Sequence, residues 1–206
     1  MIEQNLTEES VTKTLLKGLT LKELKDFFAA AGEKRFRGDQ VFEWIYGHMA
    51  QSFDEMSTIP NYLRKKLNLY CELNTLTLVS TEVSKRTGTK KYLFKTHDGF
   101  IVESVIIPEV KRTTLCISTQ VGCPLDCQFC ATGLMGYKRN LSSGEILDQF
   151  LMASIDYGKN KISNIVYMGM GEPLLNYANT LKTLQIFAEQ KTKDISLRRL
   201  TVSTAG

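Results

Sequence analysis

The sequence predicts an α/β protein built from three successive regions. Three observations carry this. Apolar residues recur at helical spacing between about residues 20 and 70. Short β-rich runs separated by turn signals fill residues 76–107. From Thr114 onward strands and helices alternate regularly. The composition suits a packed core, with 43% of the 206 residues hydrophobic and 23% charged. No apolar run approaches the length needed to cross a bilayer, and the start Met1-Ile2-Glu3-Gln4 lacks a basic and an apolar export region. A soluble cytoplasmic protein with no membrane partner is expected.

The first region, residues 1–70, reads as a small helical domain after a polar, irregular lead-in over residues 1–14. Thr20 suits a helix cap, and Leu21, Leu24, Phe27 and Phe28 repeat at helical spacing until Gly32. A second helix is expected from Gly38 to about Met49, with Val41, Phe42, Trp44, Ile45 and His48 on its periodic face. A third follows Pro60 through Leu63 and Leu67. Residues 71–113 read as an antiparallel meander. Its strands are Leu76–Ser80, Lys91–Phe94 and Phe100–Ile107, with turns at Thr87-Gly88-Thr89 and His97-Asp98-Gly99. Lys85, Arg86, Lys90 and Lys91 flank the first turn, either as an exposed hairpin tip or as a phosphate-contacting one.

The third region, residues 114–206, begins with strand Thr114–Thr119 and a cysteine-rich loop. A helix over Ser142–Tyr157 opens on the capping-box pattern Ser142-Ser143-Gly144-Glu145. Strand Asn164–Met168, helix Tyr177–Glu189 and strand Leu200–Thr204 follow. The crossovers are long enough for parallel βαβ units. Three parallel strands alone leave an apolar edge and face open, so a barrel or doubly wound domain cut partway through is expected.

Charge is uninformative about partners: the net value is +4, and residues 1–70 carry 10 basic and 10 acidic side chains. The cysteines say more. Cys71, Cys116, Cys123, Cys127 and Cys130 are odd in number, and three fall within eight residues, so metal or redox chemistry is favoured over a disulfide framework. The run Gly122-Cys123-Pro124-Leu125-Asp126-Cys127-Gln128-Phe129-Cys130 can converge three thiolates on one soft metal centre. Structural zinc wants four ligands, and neither His48 nor His97 has ligand-like spacing. An iron-sulfur cubane held by three cysteines leaves one iron open to a ligand.

The three-cysteine loop resembles that of the radical S-adenosylmethionine superfamily. The longer set is more specific: Thr114–Cys123, Met168-Gly169-Met170-Gly171-Glu172-Pro173, Ser203-Thr204-Ala205-Gly206, Lys34–Gln40 and Ser52–Met56. These resemble the bacterial dual-specificity 23S rRNA and tRNA adenine-C(2) methyltransferases, over residues from about 20 to the end. The resemblance implies a partial radical S-adenosylmethionine (β/α) barrel preceded by a helical accessory domain and a β-meander. It implies a [4Fe-4S] cluster on Cys123, Cys127 and Cys130 whose fourth iron binds S-adenosylmethionine, and a 5′-deoxyadenosyl radical formed by one-electron cleavage of the sulfonium. It implies 23S rRNA and tRNA as substrates, a flavodoxin or ferredoxin as electron donor, and a monomer at full length.

Individual residues carry both readings. Gly171-Glu172 alone reads as a strand-to-helix turn; the resemblance implies contacts to the cofactor's ammonium or ribose. Ser203 reads as a loop serine or, by resemblance, another cofactor contact. Cys116 reads as a buried strand cysteine; the resemblance implies a transient disulfide with a second, methyl-carrying cysteine, which releases a protein–RNA adduct. No cysteine follows Cys130, so the isolated chain is expected not to methylate RNA. Glu103 reads as the solvent-facing member of an alternating strand or, by resemblance, a proton acceptor beside the substrate adenine. Cys71 and Trp44 read as core, and Met168 and Met170 as packing around the cofactor turn. The rivals are a relative that methylates adenine carbon 8, a non-catalytic metal-binding RNA-binding module, and an inactive fragment or half of a split enzyme.

Overall fold

Hydrogen-bonding geometry, more than propensity, decides where each element of this chain stops. A computed structural model describes residues 13–125, 127–128, 130–192 and 195–205. Residues 1–12 of the expected lead-in over 1–14, and Gly206, lie outside the described residues. Thr14, at the end of the lead-in expected to be irregular, instead forms with Leu15 a short strand β1 (Thr14–Leu15). Helix α1 (Leu21–Ala30) starts where Thr20 accepts from the Glu23 amide and the Glu23 carboxylate returns the bond, a complete capping box.

Helix α2 (Phe36–Phe42) begins two residues earlier than expected, and a π-helical turn over Glu43–Gly47 carries it on. Gly38 is therefore inside the helix. A Cβ there would lie 2.5 Å from the Lys25 amide nitrogen, so glycine is what lets α1 and α2 approach. Helix α3 (Asn61–Tyr70) buries Leu63 and Leu67. Strand β2 (Cys71–Glu72) then pairs in parallel with β1.

The meander forms as expected: β3 (Leu76–Val83), β4 (Lys90–Thr96) and β5 (Ile101–Pro108) pair antiparallel. Its last strand also pairs antiparallel with β6 (Thr113–Cys116). The strand expected over Thr114–Thr119 is interrupted: after Cys116 the chain bends and resumes as β7 (Gln120–Gly122). The cause is local, since the Thr119 and Gln120 amides both donate to the Met170 carbonyl rather than continuing the ladder. Helix α4 (Ala131–Leu134) and strand β8 (Tyr137–Asn140) follow, and β8 pairs antiparallel with β7.

Helix α5 (Ser143–Tyr157), strand β9 (Asn164–Tyr167), helix α6 (Tyr177–Ala188) and strand β10 (Leu200–Val202) complete two crossovers. Strands β6, β9 and β10 are parallel, as expected. One six-stranded sheet therefore runs β10-β9-β6-β5-β4-β3 and joins the meander to the parallel strands. Cys71 is core and Trp44 is partly buried against it. Met170 is buried, whereas Met168 is 52% exposed and does not pack inside the turn.

Two buried polar networks fix the layers. On α5, the Gln149 carbonyl oxygen accepts from the Ser104 hydroxyl at 2.7 Å and the Ser118 amide at 2.8 Å. Its NH₂ group donates to the Ser118 and Glu145 carbonyls. At the adjacent position, Asp148 pairs with Lys17, and both side chains are fully buried. Asp148 also accepts from the Thr75 amide at 2.7 Å, the Thr75 hydroxyl and the Leu76 amide. It thus ties the segment before α1 and the start of β3 to α5. Replacing Asp148 by Ala strands a buried ammonium and three donors, so about 3–5 kcal/mol of stability should be lost. A urea unfolding midpoint within error of the parent would contradict this role.

Candidate functional site

The site is built at the carboxyl ends of β6 and β9. Past β6, the Ser118 hydroxyl accepts from the Met170 amide at 2.9 Å and donates to the Glu103 carbonyl. The Gly169 amide donates to Ile117, and the Gln120 side-chain oxygen accepts from the Glu172 amide at 2.8 Å. These bonds fasten the segment Gly169–Glu172 to the base of the cysteine loop. That loop, Cys123–Gly136, leaves β7 and returns on β8, so paired strands close its neck. Gly122 (φ 74°) sits there because a Cβ would run into the Gly136 carbonyl.

A cleft of about 310 Å³ opens between these parts, with Cys123, Cys127 and Cys130 on one wall. Gly169, Gly171 and Glu172 form another, and Ser203, Thr204 and Ala205, just past β10, a third. The structure therefore brings together six of the residues the sequence singled out. Glu103 and Cys116 are not among the lining residues. They stand elsewhere on the sheet, and their register is informative. Val102, Ser104 and Ile106 are buried toward α5, so Glu103 and Val105 face the other way. Cys116 is directly opposite Val105, so Cys116 and Glu103 share that face. The Lys91 ammonium lies 3.7 Å from the Glu103 carboxylate.

All five cysteines are free thiols. Among the described residues, no three potential ligands are already gathered around a metal-sized point. The donor chemistry nevertheless suits a soft iron centre: three thiols on one short loop, uncommitted to disulfides, in one cleft. Cys130 stands at the N-cap position of α4, and hydrogen bonding toward the Gly133 and Thr132 amides holds its thiol below the ordinary range, toward the thiolate that binds metal. Burial pushes the Cys116 thiol up, against an opposing hydrogen bond from the Met168 backbone. Burial likewise pushes Cys71 up to about 11, as expected of an inert core cysteine.

Burial raises the Glu172 carboxyl, but the bonds it accepts outweigh this and hold it below the usual range. These come from the Leu174 and Ala205 amides, at 2.9 and 3.0 Å, and from Thr204. Glu172 thus caps the turn Pro173–Asn176 and fastens the segment after β10 to the same wall. Ser118, Gln120 and Gln149 received no role from the sequence. The signal available was polar residues interrupting otherwise apolar strand and helix faces.

Comparison with known proteins agrees with this geometry. The model described as the radical SAM superfamily matches residues 117–206. The model described as the ribosomal RNA large subunit methyltransferase N-terminal domain matches residues 14–73. The fold and cleft are thus similar to those of radical S-adenosylmethionine proteins, with a match to that N-terminal domain ahead of them. A probable dual-specificity RNA methyltransferase RlmN of Cytophaga hutchinsonii is 45% identical over 97% of this chain and 55% of its own length. The namesake of Thermotoga neapolitana is 45% identical over 91% of this chain and 54% of its own length. The crystal structure of a radical SAM methyltransferase from Sphaerobacter thermophilus superposes with a TM-score of 0.88 at 41% identity. It covers 94% of this chain and 57% of that one. Over almost its whole length the chain is thus similar to radical S-adenosylmethionine dual-specificity RNA methyltransferases. It spans about half the length of the curated relatives it matches.

Gly171 is the position where the wall is least forgiving. Its φ is 96°, and a Cβ would lie 2.7 Å from the Gln120 Cγ and 2.8 Å from the Gln120 amide nitrogen. Gly171→Ala should cost at least about 1–2 kcal/mol from the left-handed backbone alone, with further loss from displacing Gln120. Thermal unfolding measures this, and an unshifted midpoint would refute the packing described.

Proposed function

We propose that this chain supplies the cluster- and cofactor-holding part of a radical enzyme that methylates carbon 2 of an adenine in 23S rRNA and in tRNA. The observation that carries this reading is the single cleft shared by three free thiols, the Gly171-Glu172 turn and Ser203. A [4Fe-4S] cluster on Cys123, Cys127 and Cys130, with S-adenosylmethionine on its fourth iron, fits that donor set. Bound there, the pair supplies one-electron cleavage of a sulfonium, chemistry that no side chain of this protein can perform.

The protein's own residues position and protect. Gly171 lets backbone come close to the ligand, while Glu172 and Ser203 offer oxygens to its ammonium and ribose. Glu103 accepts a proton from the substrate adenine. Cys116 forms a transient disulfide with a cysteine outside the 206 residues and so resolves a covalent protein–RNA adduct. That both stand on one face of the sheet supports their acting on one substrate. The target adenine must leave its stack to be reached.

Residues 1–70 would help seat the RNA, residues 71–113 bridge, and residues 114–206 belong to the catalytic core. No described helix is long and apolar enough to cross a membrane. We place the enzyme in the cytoplasm, with a flavodoxin or ferredoxin as electron donor and a monomer as the whole protein's state.

Deleting the gene should abolish 2-methyladenosine in 23S rRNA and tRNA, read by mass spectrometry of digested nucleosides. The parent gene should restore it, and Cys123→Ala or Glu103→Gln variants should not. Intact 2-methyladenosine in the deletion strain would overturn the reading, and loss of 8-methyladenosine instead would favour the carbon-8 rival.

A further inference from the structure

The helical region is neutral in total but not in distribution. Three of its acidic side chains are held in ion pairs: Glu23 with Lys182, Asp26 with Lys22 and Arg35, and Asp39 with Lys25 and Lys191. One face carries more cations than carboxylates, with Glu33 as its acidic member. Lys65 and Lys66 lie one turn from Tyr62 on α3, both are exposed, and neither is in an ion pair among the described residues. Two aromatic rings lie among them, Phe36 at 47% and Tyr62 at 52% exposure. Each already carries a cation, with the Arg37 guanidinium 4.7 Å above Phe36 and the Lys66 ammonium 5.8 Å above Tyr62.

The two pairs form one surface. The Tyr62 hydroxyl donates to Glu33 at 3.0 Å, and Arg37 is within electrostatic reach of that hydroxyl. Beside them is a slot of about 110 Å³ floored by Phe27, Leu63 and Leu67 and walled by Tyr70, with Lys66 and Glu33 also lining it. That is well below the roughly 300–1,000 Å³ of ordinary small-molecule sites and suits one planar ring system.

Exposed rings interleaved with unpaired cations match the chemistry of unstacked nucleotides, which offer π-faces and phosphates together. A duplex hides its base faces and would leave the rings unused. An acidic protein segment would use the cations but has no need of a ring-sized slot. We infer that this face, built on Phe36, Arg37, Tyr62 and Lys66, holds unpaired nucleotides of the RNA. One base stacks across the Phe36–Tyr62 platform. A neighbouring base enters the slot, where the Glu33 carboxylate accepts from an exocyclic amino group. The inference rests on the reading of RNA as substrate and adds a second, non-catalytic place where unpaired RNA is held.

The test is fluorescence anisotropy of the 206-residue chain with two labelled probes, a single-stranded oligoadenylate dodecamer and an RNA duplex of equal length. The single strand should bind more tightly than the duplex. Phe36→Ala with Tyr62→Ala should weaken the single strand about tenfold or more, since each stacked base contributes about 1–3 kcal/mol. Tyr62→Phe keeps the ring and should stay close to the parent. Lys65→Glu with Lys66→Glu should weaken both probes and flatten the salt dependence, which serves if the double alanine variant fails to fold. A folded ring-less variant that binds like the parent, a duplex that binds as tightly as the single strand, or a parent that binds neither probe would overturn the inference. Failure here leaves the nucleoside analysis of the deletion strain untouched, so the two readings fail separately.

Discussion

The site depends on a short set of hydrogen bonds that lock Ile117–Gln120 to Gly169–Glu172. The Met170 carbonyl takes two amides, the Ser118 hydroxyl takes the Met170 amide, and the Gln120 side chain takes the Glu172 amide. They replace the sheet ladder that β6 would otherwise continue. Without them the cysteine loop would leave the sheet at no defined angle to the Gly171-Glu172 wall. The parallel register of β6, β9 and β10 brings the strand ends to one side, and these bonds convert that proximity into a fixed cleft. Gln149 secures the same segment from behind, with both Ser118 backbone groups bonded to its amide. The Ser118, Gln120 and Gln149 side chains at this junction are buried and hydrogen-bonded, which lets a polar network rigidify a fold. The buried Thr119 hydroxyl, by contrast, has no partner among the described residues.

A second constraint joins the helical region to the core. The Lys17–Asp148 pair is wholly enclosed, so removing either partner would leave an uncompensated buried charge. Its neighbours are glycines at tight approach: a Cβ at Gly144 would lie 2.6 Å from the Lys17 carbonyl. The chain before α1 therefore lies directly on the start of α5. Arg139 does comparable work at the rim, bonding Asp98 at the β4–β5 turn and Glu145 in the first turn of α5. Its guanidinium holds the Asp98 carboxyl well below the usual carboxylate range. The accessory region, the meander and the parallel strands all meet on α5.

Local signals in the sequence were reliable where the physics is local. Thr20 and Ser142 start helices because a capping side chain and its Glu three residues later are enough to do so. The alternation over residues 101–107 and the crossover lengths foretold strand faces and parallel pairing. The cysteine spacing and the Gly171-Glu172 turn foretold residues that share one cleft. What could not be read was set by partners distant in sequence. The break after Cys116 comes from Met170, and the place of Gly38 inside α2 comes from Lys25 on α1. The extension of the meander into the main sheet comes from pairing of β5 with β6. The aromatic, basic face of the helical region was equally hidden, because a total of 10 basic and 10 acidic residues says nothing about which of them are already paired.

The most direct measurement is electron paramagnetic resonance of the anaerobically reconstituted and reduced chain, with and without S-adenosylmethionine. The cleft described here predicts a reduced iron-sulfur signal, lost in the Cys130→Ala variant, whose g-values shift when S-adenosylmethionine binds an open iron. Stoichiometric zinc in place of iron, or a cluster signal indifferent to S-adenosylmethionine in a folded chain, would contradict it.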